Sequence, residues 1–401
     1  MPARIQLDLD LILKRLDALA RVLPAITPRN APAERRRLAH ELSAGRDPAP
    51  RFEVTPRRLP SEAFPWLDQA RALAPEVPAG PLYLARLDEL ALDLSILESL
   101  GDPRRIRPLA RRRYGTGATR VETAGGEAPV SDLAKAILST VEPDPEPRLL
   151  PASAPPGERS LAELMRRVAG RARLEMRVCV EPRLAAAAAA GERVVFVADR
   201  SFGAREAWRL AVHEVLGHLV SAANGRAQPL RLVELGTAGS FTDQEGVALF
   251  LEEQAGVMDG TRLRTLAARV VATDLMHDGA PFGAVARRLA REHDFSATDA
   301  ITLAERAFRG GGIARDACYL RGWLRVRRAV RRGDATVDEL RSGRIGLDDL
   351  SALRELEGEG LYRAALLRPS LAYSLEATDG GTSLLTSPPS LAASFTMFEE
   401  T

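Results

Sequence analysis

The stretch HEVLGH, residues 213–218, holds two of the chain's five histidines, with a glutamate directly after the first. Imidazole nitrogens and carboxylate oxygens are ordinary zinc ligands, and a carboxylate beside such a metal can act as a general base. The spacing is the difficulty. On a regular α-helix a step of five residues turns a side chain by about 140°, whereas a step of four returns it to within about 40°. His213 and His218 can grip one ion only if the helix widens between them, as a π-bulge does by closing hydrogen bonds five residues apart. Gly217, just before the second histidine, is expected to tolerate that distortion at little steric cost.

Catalytic zinc takes three protein ligands at ~2.0–2.2 Å and keeps a further position open for water. Glu245, at the start of the helical pattern in FTDQEGVALFLEEQ, is the expected third ligand. Glu252 and Glu253 follow it as second choices, expected on a solvated face. His277 and His293 stand alone in helical patterns and His40 lies in weakly patterned sequence, so none of the three is given a role. Cys179 and Cys318 fit no metal or redox spacing and are expected to be free thiols.

The elements that must position these groups are legible around them. AREAWRLAVHEVLGHLVSAANG predicts one helix, starting near Ser201 and ending near Gly225. Upstream, MRVCVEP and ERVVFVADR predict strands, and the LAAAAAAG between them predicts a short alanine helix stopped by glycine. The expected fold is α+β and zincin-like, a small antiparallel sheet plus the active-site helix with a mostly helical remainder. That remainder includes QEGVALFLEEQAGVM, TRLRTLAARVVATDLM, PFGAVARRLAREH and DAITLAERAFRG, all helical in period.

Toward the N-terminus, residues 5–23 suit an amphipathic helix, residues 24–65 read as loosely ordered, and PLYLARLDELALDLSILESLG predicts a helix. The short basic segment RRIRPLARRRYG is expected to present a solvated helix face. Residues 142–157 form a Pro-rich linker. The expected organisation is an N-terminal helical region over 1–142, partly loosely ordered, a zinc peptidase domain over 143–368, and a Ser/Thr/Pro/Gly-rich, disordered tail over 369–401.

With 401 residues the chain can bury a large core, and its formal charge of +2 argues against nucleic acid or an anionic membrane as partner. Lysine occurs only at 14 and 135, and the arginine bias runs through the whole chain rather than one face. No stretch supplies the ~20 apolar residues of a membrane span, so a cytoplasmic location is expected.

Three segments in order resemble a known family. HEVLGH resembles the HExxxH zinc motif, QPLRLVELGTAGSFTDQEGVALF resembles a QPL…QEGLA segment, and GGGIARDACYLRG resembles a GGxFTKDxxYLxG segment of the tyrosine carboxypeptidase-like zinc peptidases. The similarity runs from about residue 80 to about residue 330. The resemblance implies that His213, His218 and Glu245 ligate Zn2+, that Glu214 is the catalytic carboxylate, and that the activity removes a C-terminal, aromatic residue from a peptide or protein. Two departures stand out: QEGVA replaces QEGLA, and Arg315 stands where the pattern has lysine, which keeps the charge but offers a planar fork suited to a carboxylate.

Exopeptidase action needs a cation for the substrate's terminal carboxylate. Arg315 is the first choice, with Arg309 and Arg321 behind it, and Tyr319 could supply a hydroxyl to the oxyanion. A zinc endopeptidase or amidase, and a non-catalytic protein with a structural zinc, are the alternatives. Glu214 speaks against the last, since a structural site has no need of an unligated carboxylate beside the metal.

Overall fold

A computed structural model describes residues 2–54, 58–123, 126–144, 149–155, 157–182 and 184–371. The chain divides into two units, Met1–Thr140 with Arg264–Leu320, and Val141–Leu263 with Arg321–Thr401. The division falls inside helices Gly260–His277 and Cys318–Arg332. Residues 372–401, most of the expected tail, lie outside the described residues.

In the unit built on Val141–Leu263, the two expected strands are present as Arg177–Glu181 and Val194–Ala198. Val195 and Val197 alternate inward and are fully buried. The sheet is mixed rather than antiparallel, because the alanine run is not a helix. Ala188–Ala190 is a strand that turns back onto Val194–Ala198, closed by the Gly191 N–H donating 2.7 Å to the Val194 carbonyl, so Arg177–Glu181 pairs parallel on the other edge. A six-alanine helix is too short to repay its nucleation, and pairing with a valine-rich strand satisfies the same backbone groups.

The Pro-rich linker is anchored where it is described. Leu149–Leu150 pairs with Phe202–Gly203, and the Asp144 carboxylate accepts from the Gly260 N–H at 2.6 Å. Residues 145–148 and 156 lie outside the described residues. Phe202, fully buried, and Gly203 then lead into one continuous helical rod, Ala204–Ala211, Val212–Leu219 and Val220–Ala227.

A second rod, Ser240–Gln254, packs against the first and against Cys318–Arg332 at glycines. A Cβ on Gly217 would stand 2.9 Å from the Ala248 Cβ, and one on Gly246 would stand 2.2 Å from the Gly322 carbonyl oxygen. The second contact is backbone against backbone and cannot be relieved by a rotamer change. Gly246→Ala is expected to cost about 1–3 kcal/mol of stability, read as a lower thermal midpoint, because the methyl forces two helices apart. An unchanged midpoint would mean that the helices do not meet there.

In the other unit, the stretch expected to be loosely ordered contains the end of helix Val22–Ile26, helix Ala31–Ser43 and the start of Ala63–Leu73. Its prolines mislead. Pro32 sits in the first turn, where it is tolerated, Leu38 is fully buried, and Arg37 pairs with both Glu34 and Glu41 at 2.6 Å. Residues 55–57 lie outside the described residues.

RRIRPLARRRYG forms helix Pro103–Tyr114, capped by Asp102, whose carboxylate accepts from the Arg104 N–H. It is not purely a solvated face. Arg113 turns inward to Asp93 and Glu89, each at 2.8 Å. The helical patterns after residue 240 are present, as Gly260–His277, Phe282–Glu292 and Ala297–Phe308. No described helix is long and apolar enough to cross a membrane.

Candidate metal centre

The rod carrying HEVLGH widens at the motif: Val212–Leu219 is a π-helix, flanked by α-helix on both sides. Its wider turn brings residues five apart onto one face, as the histidine spacing requires. The rings of His213 and His218 meet edge to face, centroids 4.8 Å apart, with their Nε2 atoms 3.2 Å apart. The Ser221 hydroxyl donates to the Gly217 carbonyl at 2.9 Å, satisfying an acceptor in the widened stretch. Gly217 does more than tolerate the distortion, since its missing side chain admits Ala248 of the second rod.

That close approach sets Glu245 opposite the histidines. Its Oε2 lies 3.3 Å from His213 Nε2 and 3.7 Å from His218 Nε2. His213 and Glu245 are buried, while the His218 side chain keeps 23% of its exposure, so the cluster is approached from solvent at His218. Among the described residues these three form the group whose donor atoms, all within 4.8 Å of one another, could hold a metal ion.

Glu252 and Glu253 correct the sequence reading, since neither lies on a solvated face. The Glu252 side chain is fully buried, accepts from His213 Nδ1 at 2.7 Å, and is forked by Arg262 at 2.9 Å to each oxygen. Glu253 binds the Trp323 indole N–H at 2.8 Å and Arg327 at 2.9 Å. A signal for Glu252 was available: it follows Glu245 by seven residues, two helical turns, and so shares its face.

Opposite charges face one another in the cluster. Burial acts to lower the His213 pKa, but its hydrogen bonds to Glu245 and Glu252 prevail and raise it to about 9. Burial would raise both glutamates, yet the two histidines hold Glu245 well below the usual carboxylate range, and Arg262, His213 and Arg209 hold Glu252 at about 2. The anionic pocket thus favours a cation among its nitrogens. Glu214 is buried beside His213, 6% exposed, and its charge adds to those that raise the His213 pKa.

Arg315 and Tyr319 belong to the other unit. There Tyr319 is buried under the Arg269 guanidinium, 4.9 Å from its ring centre. Asp316, beside Arg315, is gripped by Arg306, and that charge together with Arg269 drives its carboxyl below the usual range against burial. Ala314, just before Arg315, holds a left-handed backbone, φ 49°.

Arg309 is committed to Glu305, at 2.7 and 2.9 Å. Arg321 alone of the three arginines falls in the unit that holds the histidines, and donates to the Thr242 hydroxyl at 3.2 Å, one turn before Glu245. His277 is buried in the other unit, where burial and then Arg111 and Arg107 pull it down to about 4. Cys318 is buried and Cys179 partly so, and neither is in a disulfide among the described residues.

Fold and site together define a mostly helical α+β protein with a buried cluster of two histidines and a glutamate that can hold a metal ion. The family model described as microtubule-associated tyrosine carboxypeptidase matches residues 47–380, and the chain belongs to that family. Membership implies a carboxypeptidase-type hydrolase with a peptide or protein substrate. No curated protein and no solved structure gives a significant match.

Proposed function

We propose that the chain is a zinc-dependent carboxypeptidase of zincin-like design, in which His213, His218 and Glu245 hold the metal and Glu214 is the general base. The observation that carries this reading is the triangle of donor atoms, 3.2, 3.3 and 3.7 Å on its edges. Ligands at zinc bond lengths and tetrahedral angles stand about 3.3–3.4 Å apart. Two imidazoles and one carboxylate also match zinc's preference for nitrogen and oxygen donors, with a position left for water.

Bound there, zinc would lower the pKa of a water towards ~7 and polarise a carbonyl. Glu214 takes the proton of the attacking water and returns it to the leaving amine. Among the described residues no arginine or lysine is paired with its carboxylate, which keeps it available for that transfer. Tyr319 as oxyanion donor and Arg315 as clamp for the terminal carboxylate are assigned from the 310–322 segment, as is the preference for an aromatic residue from the family. We assign the catalytic domain to 143–368 and the protein to the cytoplasm.

The exopeptidase part of the reading is tested with paired peptides, one ending in a free carboxylate and one amidated. A charge-assisted fork is stronger than a neutral hydrogen bond, which nets about 1 kcal/mol. Wild type is expected to discriminate strongly against the amide, and Arg315→Ala to lose both that discrimination and activity on the free acid. Loss of discrimination in Arg321→Ala instead would move the clamp to Arg321. Efficient internal cleavage of the amidated peptide would replace the exopeptidase reading with an endopeptidase.

A further inference from the structure

An ionised carboxylate only accepts hydrogen bonds, so the 2.7 Å contact to Glu252 Oε1 puts the His213 ring proton on Nδ1. In the neutral ring that a metal requires, the lone pair then falls on Nε2, the nitrogen that faces His218 and Glu245. Glu252 is itself fixed. Arg262 donates Nε to Oε2 and Nη2 to Oε1, both at 2.9 Å, and the Arg209 guanidinium stands 3.9 Å from Oε1.

Four helical stretches meet in this clamp. Arg209 comes from Ala204–Ala211, His213 from the π-helix, Glu252 from Ser240–Gln254 and Arg262 from the first turn of Gly260–His277. Arg262 is steadied further by Asp259, which accepts from its backbone N–H at 2.8 Å and pairs with Arg205 at 3.3 Å. Among the described residues His218 has no such carboxylate on its Nδ1, so one histidine of the pair is locked and the other is not.

We infer that Glu252, clamped by Arg262 and Arg209, is a positioning residue that locks His213 in the Nδ1–H tautomer and aims its Nε2 at the metal position. The inference rests on reading His213 as a metal ligand. Outer carboxylates of this kind fix ring orientation, and their loss typically costs about 10–100-fold in metal affinity. A glutamate that only paired with arginine to hold helices together would change stability and leave metal affinity alone.

The test has two arms. In the zinc-loaded wild type labelled with 15N-histidine, the His213 resonance, assigned by its loss in His213→Gln, is expected to show a downfield, hydrogen-bonded proton on Nδ1. A proton on Nε2 would overturn the inference. In the second arm, zinc affinity is measured by chelator competition, alongside thermal melts of the metal-free proteins. Glu252→Gln is expected to bind zinc about 10–100-fold more weakly. Where that variant fails to fold, Glu252→Gln/Arg262→Gln, which removes both buried charges together, replaces it. Affinity within about twofold of wild type in a folded variant overturns the role, and if neither variant folds the tautomer decides. Absence of zinc from the wild type is a different failure, that of the metal reading itself.

Discussion

Protein purified with His213→Ala holds no stoichiometric zinc, whereas wild type holds about one ion per chain; this is the expected result of removing one of three converging donors. The imidazole contributes twice. Its Nε2 is one corner of the donor triangle, and its Nδ1 carries the hydrogen bond to Glu252. Without it, two donors remain, His218 and Glu245, 3.7 Å apart. Two ligands do not complete a site that needs three protein groups. His218→Ala should behave in the same way, and Glu245→Ala should weaken binding severely. Elemental analysis of gel-filtered protein reads all three, with circular dichroism to show that each is folded. Full occupancy in folded His213→Ala would remove HEVLGH from the metal site.

Glu214→Gln separates catalysis from binding. The substitution keeps the size and most of the hydrogen-bonding capacity of the side chain but removes the base, so metal content should stay at the wild-type level while turnover falls at least ~10²-fold. The residue contributes no edge to the donor triangle, which is why occupancy is insensitive to it. Turnover equal to wild type would leave the proton transfer to another group. Loss of metal together with turnover would make Glu214 a ligand rather than a base.

The cluster of His213, His218 and Glu245 was more legible in the sequence than the fold around it. The five-residue histidine step demanded a widened turn, and the π-helix over Val212–Leu219 supplies it. Glu245 could be placed because it opens the next apolar-periodic segment. What the reading missed was the second layer, although Glu252 shares the face of Glu245. Glu252 looked like one more surface charge, since its burial depends on Arg262 and Arg209, which reach it from other helices. Periodicity reports which face a residue shares, not what covers that face.

The alanine run shows the same limit from the other side. Local propensity pointed to a helix, and pairing with Val194–Ala198 outweighed it. Residues 24–65 were misread because proline and arginine were counted as disorder, although Leu38 and Ala31 pin that stretch into its unit's core. Membership of a carboxypeptidase family, found over residues 47–380, agrees with the three segments from which the resemblance was drawn.

The proposed activity is the removal of single residues from the C-terminus of a peptide by a metal held by HEVLGH and Glu245. It is tested most directly by incubating the protein, stripped with a chelator and then reloaded with one equivalent of zinc, with a C-terminally varied peptide library and following the products by mass spectrometry. The expected result is loss of one C-terminal residue, fastest where that residue is aromatic, absent in the stripped protein and in Glu214→Gln, and restored by zinc. Intact peptides after incubation with folded, fully zinc-loaded wild type, or equal cleavage with and without metal, would contradict it.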